Sequence, residues 1–316
     1  MKMSMKPFRL ALAQRICRPL PPPIAQVVRT SLYPRERAFQ DDYEFEVRAA
    51  TGSRFRHRTS EFHGYRFSVH GYFDWRNWAV ALAVCAKGDT IIEIGANIGT
   101  ETIGFSDIVG RTGHVHAFEP FPENLKAIQS NIALNNLDNV TLYPLAIGAQ
   151  NGQVSFVVPP DRHASGVGYI TRSDSADGAI KVECVTLDSL GDRLGKARAI
   201  FMDVEGAEIE VLQGARNYIA EVQPVIVLEA SPVCLERAGH DLGALHKQLT
   251  EQNYKPFRIS RFGVADIDLH TRRAGNWLCV PASQTEVAES ADRMIKRCGL
   301  MPCVLGLNPL VGRHTL

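Results

Sequence analysis

The middle of the chain alternates short apolar runs with longer stretches of helical period. Thr90-Ile-Ile-Glu-Ile94, residues 113–118, residues 140–144, Ala199-Ile-Phe-Met202 and Val225-Ile-Val-Leu228 are each four to six residues long. Near-continuous apolar character marks strands buried on both faces, and parallel neighbours need helical crossovers between them. One such crossover spans residues 123–132, with Leu125, Ile128 and Ile132 on one helix face. The pattern predicts an α/β fold built on a doubly wound, mostly parallel sheet.

Other segments break this rhythm. Tyr43, Phe45 and Val47, then Tyr65, Phe67 and Val69, alternate with polar residues and predict two antiparallel strands, a cap or edge ribbon over residues 41–75. Residues 74–85 read as a helix feeding the first strand. Gln153-Val-Ser-Phe-Val157, a polar stretch over 159–178, and Ile180-Lys-Val-Glu-Cys-Val-Thr186 predict an inserted hairpin within 145–190. Further strands are expected near 254–259 and 277–280, and a helix around 286–296. The chain thus divides into an extension (1–40), a cap (41–75), a main domain (76–285) and a C-terminal helix and tail (286–316).

Composition narrows the class. The 316 residues are 45 % apolar and 22 % charged with a net charge of +1, the profile of an ordinary globular protein with no domain-wide basic footprint for nucleic acid. Seven cysteines, with no C-x-x-C pair or zinc spacing, point to isolated thiols of a reducing compartment and hence to the cytoplasm. No run approaches the roughly 20 apolar residues that span a bilayer. Residues 1–35 nevertheless hold seven Lys or Arg and no acid. That segment reads as a lead set off by Leu20-Pro-Pro-Pro23, as a short helix packed on the core, or as a basic amphipathic element peripheral to a membrane or lipid-linked substrate.

The first predicted strand ends in an acid and a glycine turn, Glu93-Ile-Gly-Ala-Asn-Ile-Gly99. A dinucleotide site places glycine where backbone meets pyrophosphate, and Asn97 stands there instead, between Gly95 and Gly99. A ligand with adenosine but no pyrophosphate fits better, S-adenosylmethionine (SAM) first among them, although an ordinary strand-to-helix turn also uses such glycines. About 20 residues on, Glu119 closes the second strand where a carboxylate accepts ribose hydroxyls, with Pro120 following it. A simple N-terminal helix charge is the plain alternative. Asp203, Glu205 and Glu208 cluster at the end of the fourth strand, the ligand-binding end of such sheets, where a helix cap or first-turn charge is again the plain alternative.

Taken in order, Glu93-Ile-Gly-Ala-Asn-Ile-Gly99, Phe118-Glu-Pro-Phe-Pro-Glu-Asn124, Leu145-Ala-Ile-Gly148, Val185-Thr-Leu-Asp-Ser-Leu190, Met202-Asp-Val-Glu-Gly-Ala-Glu208 and Val227-Leu-Glu229 resemble the FkbM-type SAM-dependent methyltransferases across roughly residues 75–285. The resemblance implies a Rossmann-like sheet of the class I methyltransferase type with an antiparallel last strand, SAM as cofactor, and O-methylation of a sugar, glycan or related small-molecule hydroxyl. On that expectation Glu93 and the turn bearing Gly95, Asn97 and Gly99 hold the methionine half of SAM. Glu119, with Pro120 beside it, takes the ribose, and Leu145 with Ala146 takes the adenine edge. Asp203 faces the transferring methyl; it or Glu205 orients or deprotonates the acceptor, with His163 in the inserted loop competing for the base. No metal is assigned, because magnesium needs more oxygen ligands than the sequence locates. The Asn-Pro-Pro-aromatic signature of nucleobase methylation is absent after the fourth strand. Two rival readings stand: a SAM-binding module without turnover, and a nicotinamide-dependent oxidoreductase, which Asn97 disfavours.

Overall fold

The computed structural model describes residues 5–158, 168–171 and 178–312. Its first strands are β1 (Glu44–Arg48), β2 (Arg54–Arg58), β3 (Thr90–Ile94), β4 (His114–Phe118), β5 (Val140–Tyr143), β6 (Ala146–Ile147) and β7 (Gly152–Val157). They are followed by β8 (Tyr169–Thr171), β9 (Ala179–Val185), β10 (Ala199–Met202), β11 (Val225–Ala230), β12 (Tyr254–Ser260), β13 (Gly263–Ala265) and β14 (Gly275–Pro281). Eight of them form the main sheet, in the order β13-β12-β14-β11-β10-β3-β4-β5. β3, β4, β5, β10 and β11 run parallel, while β14 lies antiparallel between β11 and β12. This is the doubly wound sheet with an antiparallel last strand that the motifs implied.

Strand side chains alternate between two cores. Ile91, Phe201, Val227 and Leu278 pack under the helices Trp75–Val84, Thr102–Val109 and Glu286–Leu300. Ile92, Ile200, Ile226 and Cys279 pack under Glu208–Gly214, Arg216–Val222 and Leu242–Glu251. Each large apolar side chain so buried contributes about 1.5–3 kcal/mol, which explains why both faces of these strands are apolar. His114 and His116 on β4 contact Thr141 Oγ1 (2.8 Å) and Tyr143 Oη (3.1 Å), both on the neighbouring strand β5.

The insertion is richer than a hairpin. β7 and β9 pair antiparallel as expected, and β6 and β8 extend them to a four-stranded sheet in the order β6-β9-β7-β8.

One expected strand is a helix. β1 pairs with β2, whose Arg-Phe-Arg-His-Arg sequence carries the alternation, whereas Tyr65, Phe67 and Val69 lie in the helix Phe62–His70. Glu61 caps it by accepting from Gly64 N, and Gly71 ends it in the left-handed region. Because this helix is buried on both sides of its core-facing stripe, apolar residues fall at a spacing of two that mimics a strand.

The N-terminal region forms three helices, Phe8–Cys17, Pro22–Leu32 and Arg35–Asp41. Leu10, Ala13, Cys17, Ala25, Tyr33 and Ala38 close a small core with Tyr65 and Val69. Pro22, within the Leu20-Pro-Pro-Pro23 break, starts the second helix, where a missing N–H costs nothing. At the other end the tail folds back: Asn308 Nδ2 donates to Cys298 O (2.9 Å) and Met301 O (2.7 Å), and Leu310 is fully buried. All seven cysteines are free. No described helix is long and apolar enough to cross a membrane.

Candidate functional site

Strand order reverses between β3 and β10, so the chain leaves these neighbours toward opposite edges and opens a crevice at their carboxyl ends. Gly95 follows β3 and Asp203 follows β10. A Cβ on Gly95 would lie 2.0 Å from the Asp203 carbonyl oxygen, and the residue's φ is +85°, so only glycine fits this close approach. Gly95 N and Ala96 N both donate to Phe118 O at 2.9 and 3.0 Å, tying the turn to β4. Asn97 (φ +49°) and Glu205 (φ +53°) both adopt left-handed backbone. Asparagine tolerates that region; glutamate rarely does, and such strain concentrates at functional sites.

Two adjoining cavities, both partly open to solvent, share Ile94, Gly95, Asn97 and Asp203 as common wall. The first is apolar on most sides, through Pro120, Leu145, Ala146, Phe156 and Ile170, with Glu119 and Glu205 at its polar edges. The second runs toward the other core, between Glu93, Glu101, Glu229, Phe73, Asn77 and Asn276. Among the described residues, six acidic side chains and no Lys, Arg or His line the two.

Enclosure governs the ionisation of these acids. Glu119 is 4 % exposed; its Oε2 accepts from Asn97 N (2.7 Å) and its Oε1 from Phe121 N (2.8 Å). Burial outweighs those donors and raises its pKa to about 7. Glu93, equally buried, accepts from Thr102 Oγ1 at 2.6 Å, and burial, aided by the charge of Glu119, raises it to about 8. Asp203 is reached by solvent through the crevice but is ringed by protein and carboxylates. Desolvation first, and then Glu229, Glu205 and Glu208, hold its pKa well above the ordinary range. Desolvation and Glu205 likewise raise Glu229 to about 7.

Asp203, Glu205 and Glu229 bring carboxylate oxygens within 4.8 Å of one another. Their repulsion is relieved by a bound cation or by a retained proton. Glu205 also accepts from Cys234 Sγ at 3.0 Å, and Arg237 Nη2 donates to its carbonyl at 2.5 Å.

The structure therefore brings Glu93, Gly95, Asn97, Glu119, Pro120, Leu145, Ala146, Asp203 and Glu205 onto the crevice walls. Gly99 lines neither cavity; a Cβ there would sit 3.2 Å from the Ile128 side chain, so it packs the turn against the helix Pro122–Asn135. Glu208 is buried beneath the site, accepting from Gly206 N at 3.2 Å. His163 lies outside the described residues. Sequence reasoning gave no role to Glu229, although it ends an apolar strand beside Asp203's and obeys the same rule. Phe73, Asn77 and Asn276 carried no such signal. Asn276 Nδ2 donates to Asn77 Oδ1 at 2.9 Å, a contact between residues 199 positions apart.

Residues 93–256, just over half of the chain, match the family model of the methyltransferase FkbM domain. The chain belongs to the FkbM methyltransferase family. The match begins at Glu93 itself and contains Glu119, Asp203 and Glu229. The FkbM chain is 31 % identical over 145 residues to the hexuronic acid methyltransferase AglP of Haloferax volcanii, covering 45 % of this chain and 56 % of that protein. It is 26 % identical over 152 residues to the 2-O-methyltransferase NoeI of Sinorhizobium fredii, covering 42 % and 60 %. It thus spans a little over half the length of the curated relatives it matches. Among solved structures, a methyltransferase FkbM from Methylobacillus flagellatus KT aligns with a TM-score of 0.41 and 16 % identity, over 85 % of this chain and 58 % of that one.

Proposed function

We propose that this chain binds SAM across the two joined cavities and methylates a hydroxyl group of a sugar or glycan. The observation that carries the reading is the charge of the crevice, lined by six acids and no base among the described residues. A pyrophosphate would meet a wall of carboxylates that offers no Lys, Arg or His among the described lining residues, Arg237 beside Glu205 lying outside that lining, which disfavours a nicotinamide dinucleotide. A ligand bearing a sulfonium and an ammonium group supplies the positive charge that favours the ionised form of these carboxyls.

SAM supplies an electrophilic methyl group for in-line displacement, so the protein's work is placement and the removal of one proton. Leu145, Ala146, Phe156 and Ile170 offer an apolar wall for the adenine. Glu119, held by two backbone amides, keeps lone pairs free for the ribose hydroxyls. Glu93 draws the ammonium end toward the second cavity. Asp203 borders both cavities, where its carboxylate can take the proton from the acceptor hydroxyl. Glu205 and Glu229 raise it by repulsion and flank the acceptor's approach. The activities named for AglP and NoeI support a carbohydrate hydroxyl as acceptor.

Incubation with methyl-labelled SAM and a panel of uronic-acid and neutral oligosaccharides, read by mass spectrometry, tests the assignment. Label in a carbohydrate product is expected. Tight SAM binding with no transfer to any acceptor would instead mark a binding module without turnover.

A further inference from the structure

Thirteen large apolar side chains are exposed among the described residues, and ten of them lie in just two segments, six within residues 5–27 and four within residues 300–307. Those segments touch, since Cys303 N donates to Pro19 O at 3.0 Å. The helix Phe8–Cys17 buries Leu10, Ala13, Gln14 and Cys17. Its opposite side presents Phe8, Leu12 and Ile16 four residues apart, in a stripe about 80° wide at 3.6 residues per turn. The same geometry places exposed Arg15 at one edge of the stripe and exposed Arg9 at the other. Phe8 is 78 % exposed; beside this helix, Val27 is 62 % exposed and, near the tail, Leu300 75 %.

An exposed apolar row bordered on both sides by arginine is the layout of a helix that lies in a bilayer interface, with apolar side chains in the acyl boundary and cations among headgroups. The charge is one-signed: residues 1–35 hold seven Lys or Arg and no acid, and residues 300–312 hold no charge at all. A second copy of the chain fits poorly, because an isologous contact of this face would bring the Arg9 and Arg15 pairs of both copies into one interface, with no acid in residues 1–35 to offset them. We propose that this face seats the protein on an anionic lipid bilayer. The proposal stands on the surface alone and is independent of the chemistry in the crevice.

The test is co-sedimentation of the full chain with vesicles of phosphatidylcholine alone and of phosphatidylcholine mixed with phosphatidylglycerol, at low and high salt. The chain is expected to bind the anionic vesicles and to be released by salt. Each arginine removed should weaken binding about fivefold, so Arg9→Gln with Arg15→Gln costs about 25-fold. Phe8→Ser with Leu12→Ser and Ile16→Ser should abolish binding at low salt, while Phe262→Ser, exposed elsewhere, leaves it intact. All these positions are exposed, and unchanged circular dichroism confirms that each variant is folded. Failure to bind anionic vesicles, or binding that survives both sets of substitutions, overturns the proposal. So does the finding that the apolar substitutions only convert a dimer to a monomer in sedimentation, which would make the face a contact between copies.

Discussion

Glu93→Gln separates binding from stability because its two effects have opposite signs. The wild-type carboxyl is buried against Thr102 Oγ1 and titrates at about 8 rather than near its ordinary 4.5. A raised acid keeps its proton in the folded state at pH values where the unfolded chain has lost it. Stability is therefore fully present below about 4.5 and is lost as pH rises toward and through about 8. The full interval corresponds to about 5 kcal/mol at ~1.36 kcal/mol per pH unit. Glutamine keeps an oxygen acceptor for Thr102 and has no charge to bury. In urea unfolding without ligand, the variant should match wild type near pH 5 and exceed it by up to about 5 kcal/mol near pH 9. Its SAM affinity should drop roughly ten- to hundredfold, the worth of a hydrogen bond to a charged group. A stability difference identical at both pH values would show that Glu93 is not held protonated by burial. Unchanged SAM affinity would remove it from the cofactor site.

Two further substitutions address the roles assigned on either side of the crevice. Glu119→Ala removes the ribose acceptor and orphans the Asn97 and Phe121 amides, so SAM affinity measured by calorimetry should fall at least about tenfold; equal affinity would mean that another group holds the ribose. Asp203→Asn keeps the shape but not the basicity, and should lower kcat by about 10²–10⁴ while changing SAM affinity less than about tenfold; equal losses in both would make Asp203 a binding residue only.

Much of this site was legible because strand ends obey a simple rule. Ile91, Ile92 and Ile94 announce a strand buried on both faces, and the acid within or just beyond such a run projects from dry surroundings, as Glu93, Glu119 and Asp203 do. Asn97 was informative by what it is not, and its left-handed backbone shows why asparagine substitutes for glycine there. The failures share a cause. Tyr65, Phe67 and Val69 share the spacing of a strand because burial on a wide arc overrides periodicity. Phe73, Asn77 and Asn276 reach the second cavity from elements at opposite ends of the domain, and Phe156 and Ile170 reach the first from the inserted sheet. Only the assembled sheet brings these together, so no local pattern marks them.

An acid-lined crevice should select a cationic adenosine ligand over an anionic dinucleotide. Calorimetric titration of the wild-type chain with SAM and with NAD, repeated from about pH 6 to about pH 8 in buffers of differing ionisation enthalpy, measures it directly. SAM should bind more tightly as pH rises and the crevice carboxyls ionise, with protons released near neutral pH, and NAD should bind weakly throughout. Tighter binding of NAD than of SAM would show that the crevice is not a site for a cationic adenosine ligand.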